Sequence, residues 1–152
     1  MDNDKIIIYT DGACSNNQST ENIGGYGAVL TYKEHTKEVF GGRINTTNNI
    51  MELTAMIEAL KLIKNKNIET EVYSDSAYIV NCINLKWYEK WKLNNWKNSK
   101  KDPVKNKELW EELIALIESF ENIKIIKVKG HSGIALNEKA DELANKGIDS
   151  VR

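Results

Sequence analysis

IIIYTD (6–11) and TEVYSD (70–75) are the two stretches on which the fold turns. Each is a short run rich in β-branched and aromatic residues that closes on an aspartate, the pattern of a strand ending in a turn former. The first belongs to a strand over 5–13 and the second to a strand over 70–75. Between them, residues 26–33 and 36–42 read as strands separated only by Lys33-Glu34-His35. Spacing this short requires an antiparallel meander. NTTNN (45–49) then signals a helix start, and the helix runs to about residue 64. A strand reached through a helical crossover lies parallel to its partner, so 70–75 is expected beside 5–13. Residues 76–85 read as helical. Another helix follows Pro103 and extends to Phe120, residues 123–128 form a fifth strand, and 137–146 the last helix. This order predicts an α/β fold with a mixed five-stranded sheet, three antiparallel strands then two parallel, flanked by helices.

A chain of 152 residues is long enough to bury a core, and a single domain over 1–152 is expected. Hydrophobic residues at 41% and charged residues at 28% match a water-soluble globular protein. No apolar run is long enough for a membrane span. MDNDKIIIYTDGA lacks the layout of a signal peptide, so a cytoplasmic location is expected. Cys14 and Cys82 are too few for a disulfide framework and match no metal spacing; they read as reduced thiols.

The net charge of −1 conceals an asymmetry. Residues 86–107 hold eight lysines against Glu89 and Asp102, and the rest of the chain is acidic. A basic island on an acidic body predicts contact with a polyanion.

Four carboxylates invite a chemical reading. With the two aspartate-ending strands parallel and adjacent, Asp11 and Asp75 emerge at one carboxyl edge, where open α/β sheets bind ligands. The alternative for each is simple turn formation. Glu52 admits a structural role too, as partner of a capping Asn49. Its place on the helical wheel, between Met56, Ala59 and Ile63, argues against that, because a core-facing glutamate needs a compensating group. Asp141, in NEKADELANKG (137–147), opens the last helix and reads either as a solvated charge or as a fourth member of the set. Clustered carboxylates repel one another unless cations hold them. Hard oxygen ligands suit Mg²⁺ or Mn²⁺, and two such ions can drive phosphoryl transfer. His131 lies in the glycine-flanked loop VKGHSG (128–133), where an imidazole could move protons at neutral pH. His35 reads as a surface residue.

Taken in order, YTDGAC (9–14), GGYGAVL (24–30), TTNNIMEL (46–53), YSDSAYI (73–79), the spaced tryptophans of 87–97, DPVKN (102–106) and VKGHSGIALNEKADELAN (128–145) resemble type 1 ribonuclease H. The resemblance spans nearly the whole chain. It implies the ribonuclease H-like fold and an endoribonuclease that hydrolyses the RNA strand of RNA–DNA hybrids with two Mg²⁺ ions, leaving 5′-phosphate and 3′-hydroxyl ends. By position it implies metal ligation by Asp11, Glu52, Asp75 and Asp141 and a catalytic role for His131. It implies hybrid contacts from Cys14, Asn17, Asn48 and Asn49 in the minor groove and a DNA-phosphate pocket with Thr47 and Asn106. Asn137 falls near the active site. Trp87, Trp91, Trp96 and Lys97 belong to the basic segment expected to grip the DNA backbone; Trp87 and Trp91, four residues apart on a helix, also read as core. Asn45, Ile50 and Ala77 depart from the residues common in the family, and the loop over 14–25 is longer than its shortest versions.

Since the first strand begins near residue 5, no separate hybrid-binding domain is expected ahead of it. A free-standing monomer without an obligate protein partner is the expectation. The rival readings are a catalytically inactive hybrid-binding module, a junction-resolving or integrating nuclease of the same superfold, and a domain of a reverse transcriptase. Four clustered acids would give a pure binder no advantage.

Overall fold

The structure is a computed structural model that describes residues 4–15, 22–97, 100–130 and 134–151. Five strands form one sheet: β1 (Ile6–Ser15), β2 (Ile23–Tyr32), β3 (His35–Ile44), β4 (Thr70–Ser74) and β5 (Ile123–Lys127). Their order is β3-β2-β1-β4-β5. β1, β2 and β3 pair antiparallel, while β4 lies parallel to β1 and β5 parallel to β4. The helices are α1 (Asn48–Lys61), α2 (Ala77–Asn84), α3 (Trp87–Leu93), α4 (Lys107–Glu118) and α5 (Ala135–Ser150). The mixed sheet is the one expected.

Alternation along β1 divides its side chains between two faces. Ile6 and Ile8 enter the larger core with Val72, Leu53, Met56, Leu60, Trp110 and Leu113. Tyr9 points to the other face, where Val29, Ala140 and Leu143 form a smaller core under α5. The sheet is thus sandwiched between α5 and the remaining helices.

Element ends differ from the sequence reading for identifiable reasons. The polar stretch after Ala13 reads as loop, yet β1 continues to Ser15 and β2 begins at Ile23. Ladder pairs Ala13↔Gly25, Cys14↔Gly24 and Ser15↔Ile23 extend the hairpin past the point where composition favours a turn. His35 is exposed but belongs to β3, pairing with Tyr32 across Lys33-Glu34, with Lys33 at φ 55°. α1 starts earlier and is capped by Thr47, whose Oγ1 accepts from the Ile50 N–H at 3.1 Å. It also ends earlier, at Lys61. Asp75 falls one residue beyond β4, and Asp141 sits in the second turn of a longer α5 instead of opening a short helix.

The basic segment turns repeatedly to form a corner. Lys86, Asn95, Trp96, Lys101 and Asn106 all have φ between 55° and 65°, and each left-handed residue reverses the chain sharply. Trp91 anchors this corner: it is 9% exposed and meets the Trp110 ring edge-on at 5.5 Å. Trp96 N–H donates to the Trp91 carbonyl at 2.6 Å, and Val104 N–H to the Trp96 carbonyl at 2.8 Å.

Candidate active site

The parallel ladder between β1 and β4 ends at Tyr9↔Tyr73, whereas β1 stays paired with β2 as far as Ser15. Beyond Tyr9 the sheet forks. Asp11 remains on β1 opposite Gly27, and Asp75 follows the end of β4. A cleft of about 480 Å³ opens at the fork, and Asp11, Glu52, Asp75 and Asp141 all line it.

Close backbone approach brings the helices to this point. A Cβ on Gly12 would stand 2.6 Å from the Glu52 nitrogen and 2.7 Å from the Met51 carbonyl carbon. Only glycine there lets the first turns of α1 rest on β1. Glu52 is 8% exposed, on the core side as the wheel predicts. With Thr47 as the cap, Glu52 is not the capping-box partner of Asn49. On the opposite face, a Cβ on Gly27 would lie 2.5 Å from Leu143 Cβ and 2.7 Å from the Ala140 carbonyl oxygen. α5 therefore sits against bare backbone, and Asp141 comes within hydrogen-bonding reach of Asp11.

Ligand atoms of Asp11, Glu52 and Asp75 lie within 4.8 Å of one another. Burial pushes the Glu52 carboxyl up to about 10, with the charges of Asp11 and Asp75 adding to the shift. Burial likewise raises Asp11, to about 8, helped by Asp141 and Asp75. Gly12 N–H donates to Asp11 Oδ1 at 2.9 Å, too little to offset this. Glu52 Oε1 is buried with no hydrogen-bond partner among the described residues. No lysine or arginine is among the described residues lining the cleft. A buried carboxylate oxygen without a donor, inside an all-oxygen acidic set, fits a hard divalent cation.

The other expected residues distribute unevenly. Cys14, Asn48 and Asn49 line the carboxylate cleft. Asn17 and His131 lie outside the described residues. Gly130, which precedes His131, packs against Asp75: a Cβ there would be 2.8 Å from Oδ2. A second cavity of about 250 Å³ adjoins the first, lined by Asn49, Tyr78, Trp91, Lys105 and Asn106 among others. Asn49 and Asn106 both line this cavity, and Thr47, whose hydroxyl accepts from Ile50 N–H, stands two residues before Asn49. Asn137 is 6% exposed in the first turn of α5. Trp91 is 9% exposed, packed in the core while also lining this second cavity. Trp87 is half-buried against Tyr78 at 6.2 Å, and Trp96 packs on Trp91 at 6.0 Å with Lys107 Nζ 5.8 Å from its ring. Lys97 is exposed and bridges to Pro103.

Sequence reasoning did not single out Gly12 or Gly27 as the residues that seat α1 and α5, or Ser76 as both cap of α2 and part of the cleft wall. A glycine inside a strand pattern is the signal that would have found the first two.

A forked mixed sheet of five strands with an acidic cleft at the fork defines an α/β protein with a candidate divalent-metal site, and comparison with known proteins gives its family. The ribonuclease H family model matches residues 3–149. The ribonuclease H of Clostridium botulinum (strain Hall) is 54% identical over 145 residues, covering 95% of this chain and 96% of the relative. That of Francisella tularensis subsp. novicida is 50% identical over 144 residues, covering 95% and 91%. Among solved structures, LC9-RNase H1, a type 1 RNase H with the type 2 active-site motif, superposes with a TM-score of 0.83 at 28% identity, covering 99% of this chain and 74% of that one. LC11-RNase H1 in complex with an RNA/DNA hybrid gives 0.69 at 29% identity, covering 97% and 99%. The chain belongs to the ribonuclease H family.

Proposed function

We propose that this protein is an endoribonuclease that hydrolyses the RNA strand of RNA–DNA hybrids, leaving 5′-phosphate and 3′-hydroxyl ends, with little regard for sequence. The observation that carries the reading is the trio Asp11, Glu52 and Asp75, with ligand atoms within 4.8 Å and one buried oxygen lacking a donor. Asp11, Glu52, Asp75 and Asp141 would hold two Mg²⁺ ions, with Mn²⁺ able to substitute. When bound, such ions supply a water of lowered pKa as nucleophile and positive charge for the leaving 3′ oxygen.

The chain's own residues do the rest. Asp11, grouped with Glu52 and Asp75 and raised in pKa by both Asp75 and Asp141, would be a central member of the ligand set. His131, one residue beyond the glycine that touches Asp75, carries protons to or from the reacting groups. Cys14, Asn17, Asn48 and Asn49 read the minor groove, where the 2′-hydroxyl distinguishes RNA from DNA. Thr47 and Asn106, with Asn49 beside Asn106, receive a phosphate of the DNA strand, and Trp87, Trp91, Trp96, Lys97 and the neighbouring lysines form the surface that follows its backbone. Contacts to sugar and phosphate carry no base information, so cleavage is insensitive to sequence. Residues 1–152 act as one catalytic domain, monomeric and in the cytoplasm, and no described helix is long and apolar enough to cross a membrane.

One labelled RNA tests this reading in three forms: hybridised to DNA, duplexed with RNA, and single-stranded, each with Mg²⁺ and with EDTA. Cutting confined to the hybrid with Mg²⁺ is expected. Salt-sensitive hybrid binding without cutting would replace it with an inactive binding module.

A further inference from the structure

Two residues, Asn45 and Thr46, separate the end of β3 from Thr47, the cap of α1. Both are pinned by one side chain and its backbone, those of Asn22. The Asn22 carbonyl accepts from Asn45 N–H at 2.9 Å. Asn22 Oδ1 accepts from Thr46 N–H at 3.0 Å, and Nδ2 donates to the Thr46 carbonyl at 2.9 Å. The carboxamide thus satisfies both sides of the Thr46 residue at once, as a neighbouring strand would.

Among the described residues this clamp has no strong substitute. Thr46 is 3% exposed, so water does not replace a lost partner. Its own hydroxyl is buried with no partner among the described residues. Cys14 Sγ, 3.7 Å from the same carbonyl, is a weak donor. Asn45 has φ 56°, and the clamp holds the chain in that reversal.

The segment so held leads directly into Asn48 and Asn49. Both line the carboxylate cleft, and Asn49 also lines the cavity beside Asn106. Residues 47–49 are exposed, and among the described residues Thr47 is tied to the helix only through its cap bonds, with Oγ1 accepting from Ile50 N–H and the carbonyl from Met51 N–H, each at 3.1 Å. From Met51 onward the helix is anchored by the core, with Met51 at 1% and Leu53 and Met56 at 0% exposure. Glu52 therefore keeps its position whether or not Asn22 is present. We propose that Asn22 is a positioning residue for the hybrid: by clamping Thr46 it fixes Asn48 and Asn49 against the substrate while leaving the carboxylates untouched. The proposal rests on the hybrid-cleavage reading above.

The test compares the wild type with Asn22→Ala and with the isosteric Asn22→Asp, which keeps the acceptor for Thr46 N–H but turns an oxygen toward the Thr46 carbonyl. Steady-state cleavage of the labelled hybrid with Mg²⁺ should show KM raised about five- to tenfold in both, and kcat within about twofold of wild type, as loss of substrate binding requires. The Mg²⁺ concentration at half-maximal rate should not move. Repeating Asn22→Asp at higher salt screens repulsion between its new charge and phosphate; its KM defect should persist relative to wild type at that salt. Amide exchange at Thr46 should speed up in Asn22→Ala, while Asn45, bonded to the backbone of residue 22, stays protected. A fall in kcat or a shift in Mg²⁺ dependence at unchanged KM would overturn the proposal, as would unaltered KM in variants whose Thr46 amide has lost protection. Were Asn22→Ala to fail to fold, Asn22→Asp decides alone. A wild type that cuts no hybrid would count against the functional reading; hybrid affinity measured by fluorescence anisotropy in EDTA then decides the clamp by the same five- to tenfold criterion.

Discussion

Glu52 carries a carboxyl group into the core at the start of α1, where burial and its acidic neighbours Asp11 and Asp75 raise its proton affinity to about 10. In the unfolded chain the same group releases its proton near 4.5. The folded state therefore holds a proton that unfolding sets free, and the associated stability is present below the unfolded value and lost as pH rises toward the folded one. Asp11, raised to about 8, acts in the same direction. The metal-free protein is expected to melt at progressively lower temperature as pH is raised from about 5 to about 9. Glu52→Gln should flatten that slope, and its cleavage rate should fall by more than about a hundredfold, the scale set by losing one group that stabilises transition-state charge. Calorimetric melting with and without Mg²⁺ checks the first expectation. Added Mg²⁺ should raise the melting temperature most at the high-pH end, because ligation needs ionised carboxylates. An upward slope with pH in the absence of metal would contradict the assignment of buried, protonated acids.

At the scale of elements, the site depends on two helices resting on bare backbone. Gly27→Ala places a methyl group 2.5 Å from Leu143 Cβ. It should cost about 1–3 kcal/mol in urea unfolding, the usual penalty for overpacking, and should reduce activity by displacing Asp141. Trp91→Ala removes the anchor of the basic corner and should cost about 3–5 kcal/mol; a near-neutral result would show that Trp91 is not core. Much of this level was legible in the sequence. Hydrophobic runs and turn residues identified every strand, and the wheel placed Glu52 on the buried side of α1. Ends were less legible, because ladder pairing carries β1 through Cys14-Ser15 against the preference of those residues for turns. The cap itself was left open, because Thr47, Asn48 and Asn49 are all competent caps and only geometry chooses among them. The glycine bed under α5 was invisible because a missing side chain has meaning only once its neighbour is known.

Across the whole molecule, charge is separated. The eight lysines of residues 86–107 are all exposed, while the acidic cleft lies at the sheet fork. Composition revealed this division, though not that Trp91 braces the corner from inside. Hybrid affinity should fall steeply with salt, and replacing Lys97 with Gln should lower the slope of log affinity against log salt by about 1 if it touches phosphate. An unchanged slope would remove Lys97 from the interface. The central claim is that the four gathered carboxylates hold divalent cations that drive cutting of the RNA strand. The most direct measurement is cleavage of one labelled hybrid by wild type and Asp11→Asn, from EDTA through a full Mg²⁺ titration, with melting curves of both proteins alongside. The wild type should be silent in EDTA and saturate with Mg²⁺. Asp11→Asn should fold and be slower by more than about a hundredfold at every Mg²⁺ concentration. Cutting in EDTA, or wild-type rates from folded Asp11→Asn, would contradict the central claim.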